Sequence, residues 1–423
     1  MAGRPLSAWL TWLETLSPVE INMGLERVSS VLERLDLDLP QQVIHIAGTN
    51  GKGSSVAMLE ALLRHTGRSV GCYTSPHVHE YNERIRVNGL DATDEDIVAA
   101  FERIEAVRGD VPLSYFEYGT LAALVVFADS APDAMILEIG MGGRLDAVNA
   151  VEPAAGLITN VALDHCAWLG DDVESVGREK AGIMRAGKPI VFGSREMPAS
   201  VAGHASDTNA HLFAAGRDFD WEREGSRWSW RGVDAKLHGL QPPSLPGRHQ
   251  IDNAAAVLAL CEVAGYDDVL ETETVNMALG QVSLAGRMQR IGSDPRWLFD
   301  VAHNPAAAQA LAAVLRDDSV DGLTIAVVGL LDDKDVSGIV ASLQGIVDEW
   351  VAVTAENPRA IPADELARQV ANLSGSACLV ADSIESGLDH ASSIATRRDR
   401  ILVTGSFYVV GPALAGLYSP RTS

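Results

Sequence analysis

The sequence predicts an α/β fold in two domains, each built on a mostly parallel β-sheet. The chain has 423 residues, more than a single hydrophobic core usually organises. Short β-rich apolar runs alternate with segments of helical periodicity, which is typical of a sheet covered by helices on both faces. The alternation stops at "SLAGRMQRIGSDP" and then restarts. We therefore expect a first domain over residues 1–286, a hinge, and a smaller second domain over residues 287–423.

The predicted strands of the first domain all precede a polar segment. Their sequences are "VIHIAG", "SVGCYTS", "AMILEIG", "AGLITNVALDH" and "KPIVFG". A helix is expected from about Lys52, directly after the first of these runs. From about residue 195 to residue 245 the chain is polar, contains tryptophan and alternates weakly, which predicts a small antiparallel excursion at the edge of the sheet. The helix "IDNAAAVLALCEVAG" is expected after this segment.

The second domain repeats the alternation of strands and helices independently. Its predicted strands lie in "RWLFDVAHNP", "LTIAVVGLLDDKD", "EWVAVTA", "ACLVADS" and "RILVTGSFYVVG". No internal repeat and no low-complexity tract interrupts them. A separate α/β domain is therefore expected after the hinge.

Charge and apolar pattern restrict the partners of the protein. A formal net charge of −24 argues against a nucleic-acid groove and against binding to an anionic membrane. The sequence has no run of about 18 apolar residues and no signal-peptide core at its N-terminus, so we expect a soluble, cytoplasmic protein. A monomer is the default expectation for its oligomeric state. Anionic substrates would need local compensation from lysine, arginine, helix N-termini or metal ions.

The four cysteines are far apart in the sequence and lie in mainly apolar contexts. They are Cys72, Cys166, Cys261 and Cys378. This spacing favours buried free thiols over a disulfide framework or a metal site.

The stretch "GTNGKGSS" has the composition of a phosphate-binding loop but not its usual spacing. In the usual loop Ser or Thr follows the lysine directly, whereas here Gly53 separates Lys52 from Ser54. The stretch still lies between a predicted strand and a predicted helix, where glycines bring backbone amides close to an anion. We expect Lys52 to contact phosphates and Ser54 to bind Mg²⁺; the alternative is a glycine turn with a solvated lysine. Three glycines can take positive φ there: Gly48, Gly51 and Gly53.

A second glycine-rich stretch, "MILEIGMGGRLDAVN", also follows a predicted strand. It departs from the dinucleotide-binding fingerprint, because the third glycine is missing and Glu138 precedes the glycines. A carboxylate at the end of a parallel strand points into the ligand crevice, so Glu138 is a candidate metal ligand. A nicotinamide-dependent dehydrogenase built on residues 140–143 is the alternative function.

Two further strand ends carry candidate ligands. Ser75 follows one strand, and "NVALDHCAWLG" places Asp164 and His165 after another, with Lys180 further along. The carboxyl ends of parallel strands meet at one edge, so Ser75, Glu138 and His165 are expected to share a Mg²⁺ ion. Structural or solvated roles are the alternative for each residue taken alone.

Motifs in the same order throughout the chain resemble the folylpolyglutamate synthase family of the Mur ligase superfamily. They are "HIAGTNGKGSS", "YTSPHVHEYNERIRVNG", "YFEYGTLAAL", "LEIGMGGRLDAVN", "ALDHCAWLG", "VGREKAGIMR", "AGRMQR", "FDVAHNP" and "GSF". The glycine between lysine and serine belongs to the loop of this family. The segments "SYFEYGT" and "LGDDVESVGREKAGI" are most similar to its bifunctional bacterial members.

The resemblance implies a P-loop ATPase domain followed by a Rossmann-like domain, and an ATP-dependent amide ligase. Such an enzyme adds L-glutamate to dihydropteroate and to reduced folates through an acyl phosphate, with ATP as co-substrate and one or two Mg²⁺ ions. A monofunctional folylpolyglutamate synthase shares most of these motifs and is an alternative. Ligases of the same superfamily that act on cell-wall precursors, and an inactive binding module, are less compatible with the motifs.

The resemblance also implies roles for individual residues. Nucleotide binding falls to Asn50, Gly51, Lys52, Gly53, Ser54, Asn253, Arg287 and Asp300. Metal binding falls to Ser54, Ser75, Glu138, His165 and Lys180, of which Lys180 matches a lysine that is carbamylated in the superfamily. The dihydropteroate pocket is expected at Asn22, Met23, Gly24, Ser114, Tyr115, Phe116, Leu145, Asp146 and Ala147, and the glutamate site at His303 and Ser406. The catalytic residues implied are Lys52, Lys180 and His303, although "HNP" also reads as a helix start.

Overall fold

The computed structural model describes residues 3–16, 23–292 and 295–418. It forms two compact units. The first contains the described residues up to 282, except residues 163–170 and 245–250; these two segments and residues 283 onward form the second. The expected domain boundary after residue 286 stays a prediction.

Helices and strands alternate along both units. The helices of the described residues are α1 Leu6–Leu16, α2 Glu26–Leu35, α3 Lys52–His65, α4 Asp94–Arg108, α5 Tyr115–Ser130, α6 Cys166–Leu169, α7 Val173–Ala181, α8 Ala199–Thr208, α9 Arg248–Val263, α10 Thr272–Leu279, α11 Pro305–Asp317, α12 Val336–Leu343, α13 Ala363–Ser374, α14 Ile384–Ile394 and α15 Phe407–Tyr418. The strands are β1 Val43–Ala47, β2 Val70–Tyr73, β3 Ile85–Val87, β4 Leu90–Asp91, β5 Ala134–Glu138, β6 Ala155–Ile158, β7 Pro189–Phe192, β8 His211–Ala214, β9 Asp220–Glu224, β10 Arg227–Arg231, β11 Lys236–Leu240, β12 Gln289–Ile291, β13 Arg296–Asp300, β14 Thr324–Val328, β15 Glu349–Ala352, β16 Cys378–Val380 and β17 Arg400–Thr404.

The main sheet of the first unit has the strand order β4-β3-β2-β5-β1-β6-β7-β8. The six strands from β2 to β8 in this order are parallel, and β3 and β4 add an antiparallel hairpin at one edge. All five residues of the central strand β1 are buried, as expected for a strand covered on both faces. The predicted mostly parallel sheet is confirmed, and the carboxyl ends of β2, β5, β1 and β6 lie side by side.

Helices α1, α2, α4 and α5 share one hydrophobic core with a face of this sheet. Trp9, Val28, Phe101 and Tyr118 are fully buried in it. Helix α3 packs against β1, β2, β5 and α10. Because α3 begins directly after the loop that follows β1, its packing fixes the position of that loop.

The predicted antiparallel excursion is shorter than expected. Strands β9, β10 and β11 form a three-stranded antiparallel sheet between residues 220 and 240. The preceding part of the polar segment instead forms α8 and β8, and β8 pairs in parallel with β7. The prediction was wrong for that part, because the parallel pairing of the short run "HLFA" with β7 outweighs its weak local pattern.

The second unit contains a six-stranded sheet in the order β12-β13-β17-β14-β15-β16. Its strands are parallel except β12, which pairs antiparallel with β13. Leu298, Ala326, Trp350 and Leu402 contribute to a buried core together with α11, α12 and α13. A second α/β unit after the predicted hinge is thus confirmed.

The prediction of buried free thiols is confirmed only in part. All four cysteines are free, and Cys72 and Cys261 are buried. Cys378 is half-buried, and Cys166 is exposed because it begins the four-residue helix α6, which also exposes Trp168. Among the described residues, no helix has the length and apolar character needed to cross a membrane.

Candidate active site

The loop between β1 and α3 is shaped by two glycines that approach other side chains closely. Gly51 is the N-cap of α3 with φ 84°, and a Cβ there would lie 2.6 Å from Oδ1 of Asn253. Gly48 has φ 145°, and a Cβ there would lie 1.8 Å from Oγ1 of Thr159. The expected positive φ is therefore found at these two glycines. Gly53 instead lies in the first turn of α3, where the helix sets φ.

The residues after β6 fasten the loop from the neighbouring strand. Oγ1 of Thr159 and Nδ2 of Asn160 donate to the carbonyl oxygen of Asn50 at 2.6 and 2.9 Å. The amide of Asn50 donates to Oδ1 of Asn160 at 3.1 Å. Thr159 and Asn160 were not recognised in the sequence, although both follow a predicted strand directly. They hold the loop in a fixed shape before any ligand binds.

Two lysines converge on this loop. Nζ of Lys52 donates to the carbonyl oxygens of Gly48 and Thr49 at 3.2 and 3.3 Å. Nζ of Lys180, from the last turn of α7, donates to the same Gly48 oxygen at 3.0 Å, and Lys180 is only 4% exposed. The structure thus brings together two of the three predicted catalytic residues.

The second glycine-rich stretch packs against the end of α7. A Cβ at Gly143 would lie 2.8 and 2.9 Å from the carbonyl oxygens of Glu179 and Lys180. Nη2 of Arg144 pairs with Oε1 of Glu179 at 2.8 Å. These glycines allow a loop to pack on the end of α7, which explains them without a dehydrogenase.

Ser54, Ser75 and Glu138 provide oxygen ligands beside the loop. Glu138 ends β5 and is 5% exposed, and its Oε2 accepts a hydrogen bond from the amide of Ser75 at 3.3 Å. A Cβ at Gly53 would lie 3.8 Å from the same oxygen, and the next residue, Ser54, is buried. Hydroxyl and carboxylate oxygens are the ligands that Mg²⁺ prefers. These residues fit a divalent cation.

Asn253 belongs to α9, and a small antiparallel sheet holds this helix. Nε1 of Trp221 on β9 donates to Oδ1 of Asp252 at 2.8 Å, and Nε1 of Trp230 on β10 donates to the carbonyl oxygen of Ala255 at 3.1 Å. The polar segment containing tryptophan therefore supports the helix that places Asn253 against Gly51. This role was not foreseen from the sequence.

The residues predicted for dihydropteroate fall on three neighbouring segments. The amide of Gly24 donates to the carbonyl oxygen of Leu145 at 3.3 Å. Ser114 is buried as the N-cap of α5, in a capping box with Glu117. A Cβ at Gly140 would lie 2.5 Å from Cζ of Phe116. Met23, Tyr115 and Phe116 are half-buried, Ala147 is buried, and Asn22 lies outside the described residues.

Asp146 is the most perturbed carboxyl group of this region. It is buried, its Oδ2 accepts from the amide of Met141 at 2.8 Å, and its Oδ1 accepts from the amide of Val148 at 3.0 Å. Burial raises the pKa of Asp146 to about 7, although these amides and the charge of Lys52 favour the carboxylate. Near neutral pH this group can therefore both donate and accept hydrogen bonds.

His165 and His303 both lie in the second unit and share one carboxylate partner. Oδ2 of Asp164 lies 3.4 Å from Nε2 of His303, and Oδ1 of Asp164 accepts from the amide of His165 at 2.9 Å. Nδ1 of His303 lies 2.9 Å from the carbonyl oxygen of Val301. Asn304, not His303, is the N-cap of α11, and Pro305 begins the helix. The helix start predicted from "HNP" is confirmed, with Asn304 rather than His303 as its cap.

The remaining predicted residues of the second unit surround one aromatic ring. The guanidinium of Arg287 lies 5.1 Å from the ring centroid of Phe407, and the ring of His303 lies 6.0 Å from it. Ser406 is buried directly before that ring. Burial raises the pKa of Asp300, while the charge of Arg287 and the amide of Met288 oppose this shift. Arg287 and His303 thus both lie near the ring of the residue that follows Ser406.

Comparisons with known proteins place this geometry in a family. The Mur ligase middle domain matches residues 46–261, and the Mur ligase glutamate ligase domain matches residues 286–407. The Escherichia coli protein named dihydrofolate synthase/folylpolyglutamate synthase is 40% identical over 422 residues, covering 100% of this chain and 97% of its own length.

Solved structures show the same similarity in three dimensions. The Escherichia coli protein FolC in complex with DHPP and ADP has a TM-score of 0.94 and 39% identity over 100% of both chains. A bifunctional folylpolyglutamate synthase/dihydrofolate synthase with Mn, AMPPNP and L-glutamate bound has a TM-score of 0.91 and 40% identity over 99% of both chains. Those proteins bind nucleotide, and the second binds a divalent metal and an amino acid.

Proposed function

This chain belongs to the dihydrofolate synthase/folylpolyglutamate synthase family of Mur ligases and is an ATP-dependent ligase, and we propose how its residues perform the reaction. The substrates are L-glutamate, ATP, and either dihydropteroate or a reduced folate. The main support is the loop before α3, where Lys52 and Lys180 meet at Gly48 beside the buried carboxylate of Glu138. The site is expected to act in a cytoplasmic monomer that needs no macromolecular partner.

The reaction has two chemical steps. A carboxylate is a poor electrophile, so one of its oxygens first attacks the γ-phosphorus of ATP, which gives an acyl phosphate and ADP. The amine nitrogen of glutamate then attacks the acyl carbon, the C–O bond to phosphate breaks, and phosphate and a proton leave. Catalysis depends on holding two anionic substrates together while their charges are compensated.

The first step is assigned to the loop and the start of α3. The amides of Gly51 and Gly53 at the N-terminus of α3 are assigned to the triphosphate, with Asn50 as a further nucleotide contact, and Lys52 compensates the phosphate charge. Asn253, Arg287 and Asp300 contribute the remaining nucleotide contacts. The fastening of Asn50 by Thr159 and Asn160 keeps this loop preorganised.

Ser54, Ser75, Glu138 and His165 are assigned to divalent metal. When bound, a Mg²⁺ ion supplies positive charge to the phosphates. The Ser75 hydroxyl and the Glu138 carboxylate would hold the ion from strand ends, and the Ser54 hydroxyl would hold it from the first turn of α3. His165 adds a nitrogen ligand from the segment after β6.

Lys180 is assigned as a carbamylated residue that serves a second metal ion. Its Nζ and that of Lys52 share one acceptor, so their two positive charges would repel each other. A neutral amine attacks the carbon of CO₂, loses a proton, and becomes a carbamate anion. The carbamate would remove the repulsion and provide oxygen ligands.

The acceptor and the amine are assigned to separate groups of residues. Phe116 offers an aromatic face to the pterin, and Asp146 offers a carboxyl group that donates and accepts. Asn22, Met23, Gly24, Ser114, Tyr115, Leu145 and Ala147 are the other residues assigned to the dihydropteroate pocket. His303 and Ser406 are assigned to glutamate.

An assay with two acceptors tests this function. Pure protein is incubated with ATP, Mg²⁺ and labelled L-glutamate, and with dihydropteroate or tetrahydrofolate in separate reactions. Label is expected in a new amide with both acceptors, together with one ADP for each bond formed. Product with tetrahydrofolate alone would identify a monofunctional synthase, and ATP hydrolysis without amide formation would contradict the proposal.

A further inference from the structure

Asp164 is a buried carboxylate to which the resemblance assigns no role. Its side chain is 8% exposed, and Nζ of Lys334 donates to Oδ1 at 2.6 Å. Nδ2 of Asn304 donates to Oδ2 at 2.9 Å, and Nε2 of His303 lies 3.4 Å from the same oxygen. The amide of His165 donates to Oδ1 at 2.9 Å. Each carboxylate oxygen thus has two partners, and together they occupy the roughly four acceptor sites of the group.

These partners come from three loops that follow strands. His165 lies after β6, His303 and Asn304 lie after β13, and Lys334 lies between β14 and α12. Asn304 also fixes the start of α11, because its Oδ1 accepts from the amide of Ala307 at 2.9 Å. One carboxylate therefore sets the relative positions of the loops that carry two proposed site residues.

The backbone at His165 shows why such a partner is needed. His165 has φ 52°, a left-handed conformation that is unfavourable for a residue with a side chain. The hydrogen bond from its amide to Oδ1 of Asp164 fixes the peptide unit that leads into this residue. The imidazole direction depends on it, since the ring is attached at this strained position.

We propose that Asp164 is a positioning residue that holds His165 and His303 in a fixed relation, with Lys334 as its counter-ion. The inference rests on the proposed function in one respect, namely that His165 binds metal and His303 serves the glutamate side. Lys334 is 5% exposed and keeps the Asp164 charge compensated. An uncompensated carboxylate beside His303 would repel the anionic amino acid.

A metal ion bound directly by Asp164 is the competing interpretation. Ligand atoms of Asp164, His165 and Asp333 lie within 4.8 Å of one another. However, Nζ of Lys334 lies 2.6 Å from Asp164 and 3.3 Å from Asp333, and Nη1 of Arg359 lies 3.8 Å from Asp333. These cations already compensate the carboxylates, and the acceptor sites of Asp164 are filled. The geometry points to support of His165 rather than to a further metal site.

Metal affinity and glutamate kinetics in Asp164→Asn test the inference. The amide keeps the size of the side chain but turns one acceptor into a donor that faces other donors. Mn²⁺ affinity, measured by electron paramagnetic resonance with AMPPNP present, is expected to fall about tenfold to a hundredfold, as for other residues that orient a metal ligand. The KM for glutamate is expected to rise at least about tenfold, while the KM for ATP changes less. Values of both Mn²⁺ affinity and glutamate KM within about twofold of wild type would overturn the proposal.

Two further variants distinguish a failure of the Asp164 proposal from a failure of the metal assignment of His165. Asp171→Asn makes the same change at an exposed position nearby and should leave both measurements unchanged. His165→Ala must weaken Mn²⁺ binding; an unchanged affinity there would refute the metal assignment itself, independently of Asp164.

A milder variant covers the case in which Asp164→Asn does not fold. Asn304→Ser keeps the helix cap and removes the amide donor to Asp164. It should raise the glutamate KM several-fold with unchanged thermal unfolding. A wild-type KM for glutamate in Asn304→Ser would count against the proposal. Asn304→Gln is not expected to restore the wild-type KM, because its longer side chain does not cap the helix.

Discussion

The side-chain nitrogens of Lys52 and Lys180 lie 3.2 and 3.0 Å from one acceptor, the carbonyl oxygen of Gly48. The two lysines are 128 positions apart in the sequence (180 − 52) and come from different helices. Two ammonium groups at one oxygen repel each other, and burial increases this repulsion because the local dielectric constant is low. The arrangement becomes favourable when an anion, either phosphate or carbamate, reaches this point.

Replacing Lys52 removes the positive charge at the loop. We expect Lys52→Ala to lower turnover with either acceptor by at least about 10²-fold, because no other group of the loop can supply this charge to the phosphates. Thermal unfolding should stay close to wild type, since the Lys52 side chain bonds only to nearby carbonyls of its own loop. Lys188→Ala, at an exposed lysine, is the control and should remain fully active.

Replacing Lys180 tests the carbamate. Lys180→Ala is expected to lose nearly all activity, and formate or acetate should restore part of it by occupying the place of the carbamate oxygens. Activity is measured against carboxylate concentration, with chloride at equal ionic strength as the control. No recovery with carboxylates, together with an unmodified lysine in a crystal grown with bicarbonate and Mg²⁺, would contradict carbamylation.

The sequence predicted those parts of the fold and site that depend on local pattern. The loop at Gly48 and Gly51, the strand ends at Ser75 and Glu138, and the start of α11 follow from turn residues and strand order. The hairpin of β3 and β4 carried a signal that was missed. Asn88 and Gly89 connect the two strands, both with positive φ, as in a two-residue hairpin turn.

Contacts between distant segments could not be predicted from the sequence. Asp164 meets Asn304 and Lys334, which are 140 and 170 residues further along. Nothing in the local pattern of "LDDKD" distinguishes Lys334 from a solvated lysine. The contact between Trp221 and α9 could not be predicted either, because a tryptophan in a polar strand gives no indication of which helix it contacts.

Asp146 should make the stability of the protein depend on pH. Its folded-state pKa of about 7 lies above the ordinary value of 3.8, so the folded state binds the proton more tightly than the unfolded state does. Stability is therefore lost as pH rises from about 4 to about 7, by roughly 4 kcal/mol from this group, and stays constant above that range. Asp146→Asn cannot ionise and should lack this contribution.

The measurement is the difference in urea midpoint between Asp146→Asn and wild type at several pH values. Asp146→Asn also lowers the free energy of unfolding by an amount that does not depend on pH, because its amide group presents a donor to the backbone amide of Met141 or Val148. The difference should nevertheless shift in favour of the variant between pH 5 and pH 7.5. A difference that does not change with pH would show that Asp146 is ionised in the folded protein throughout this range.

Gly53 interrupts the usual spacing of the loop, and its surroundings predict what a side chain at this position would do. It lies in the first turn of α3, and a Cβ there would meet only Oε2 of Glu138, at an ordinary contact distance of 3.8 Å. Alanine is favoured over glycine in a helix by about 0.5–1 kcal/mol, so Gly53→Ala should fold normally or become slightly more stable. The added methyl group would nevertheless occupy space between Glu138 and the phosphates. We expect a rise in the KM for ATP and weaker Mn²⁺ binding despite intact stability.

Gly51→Ala is the matched variant, because φ 84° and the 2.6 Å approach of Asn253 make a side chain unfavourable there. It should lose stability, by about 1–3 kcal/mol, as well as activity. Thermal unfolding and ATP kinetics on both variants decide the matter: normal ATP kinetics in Gly53→Ala would mean that this glycine is not required by the nucleotide.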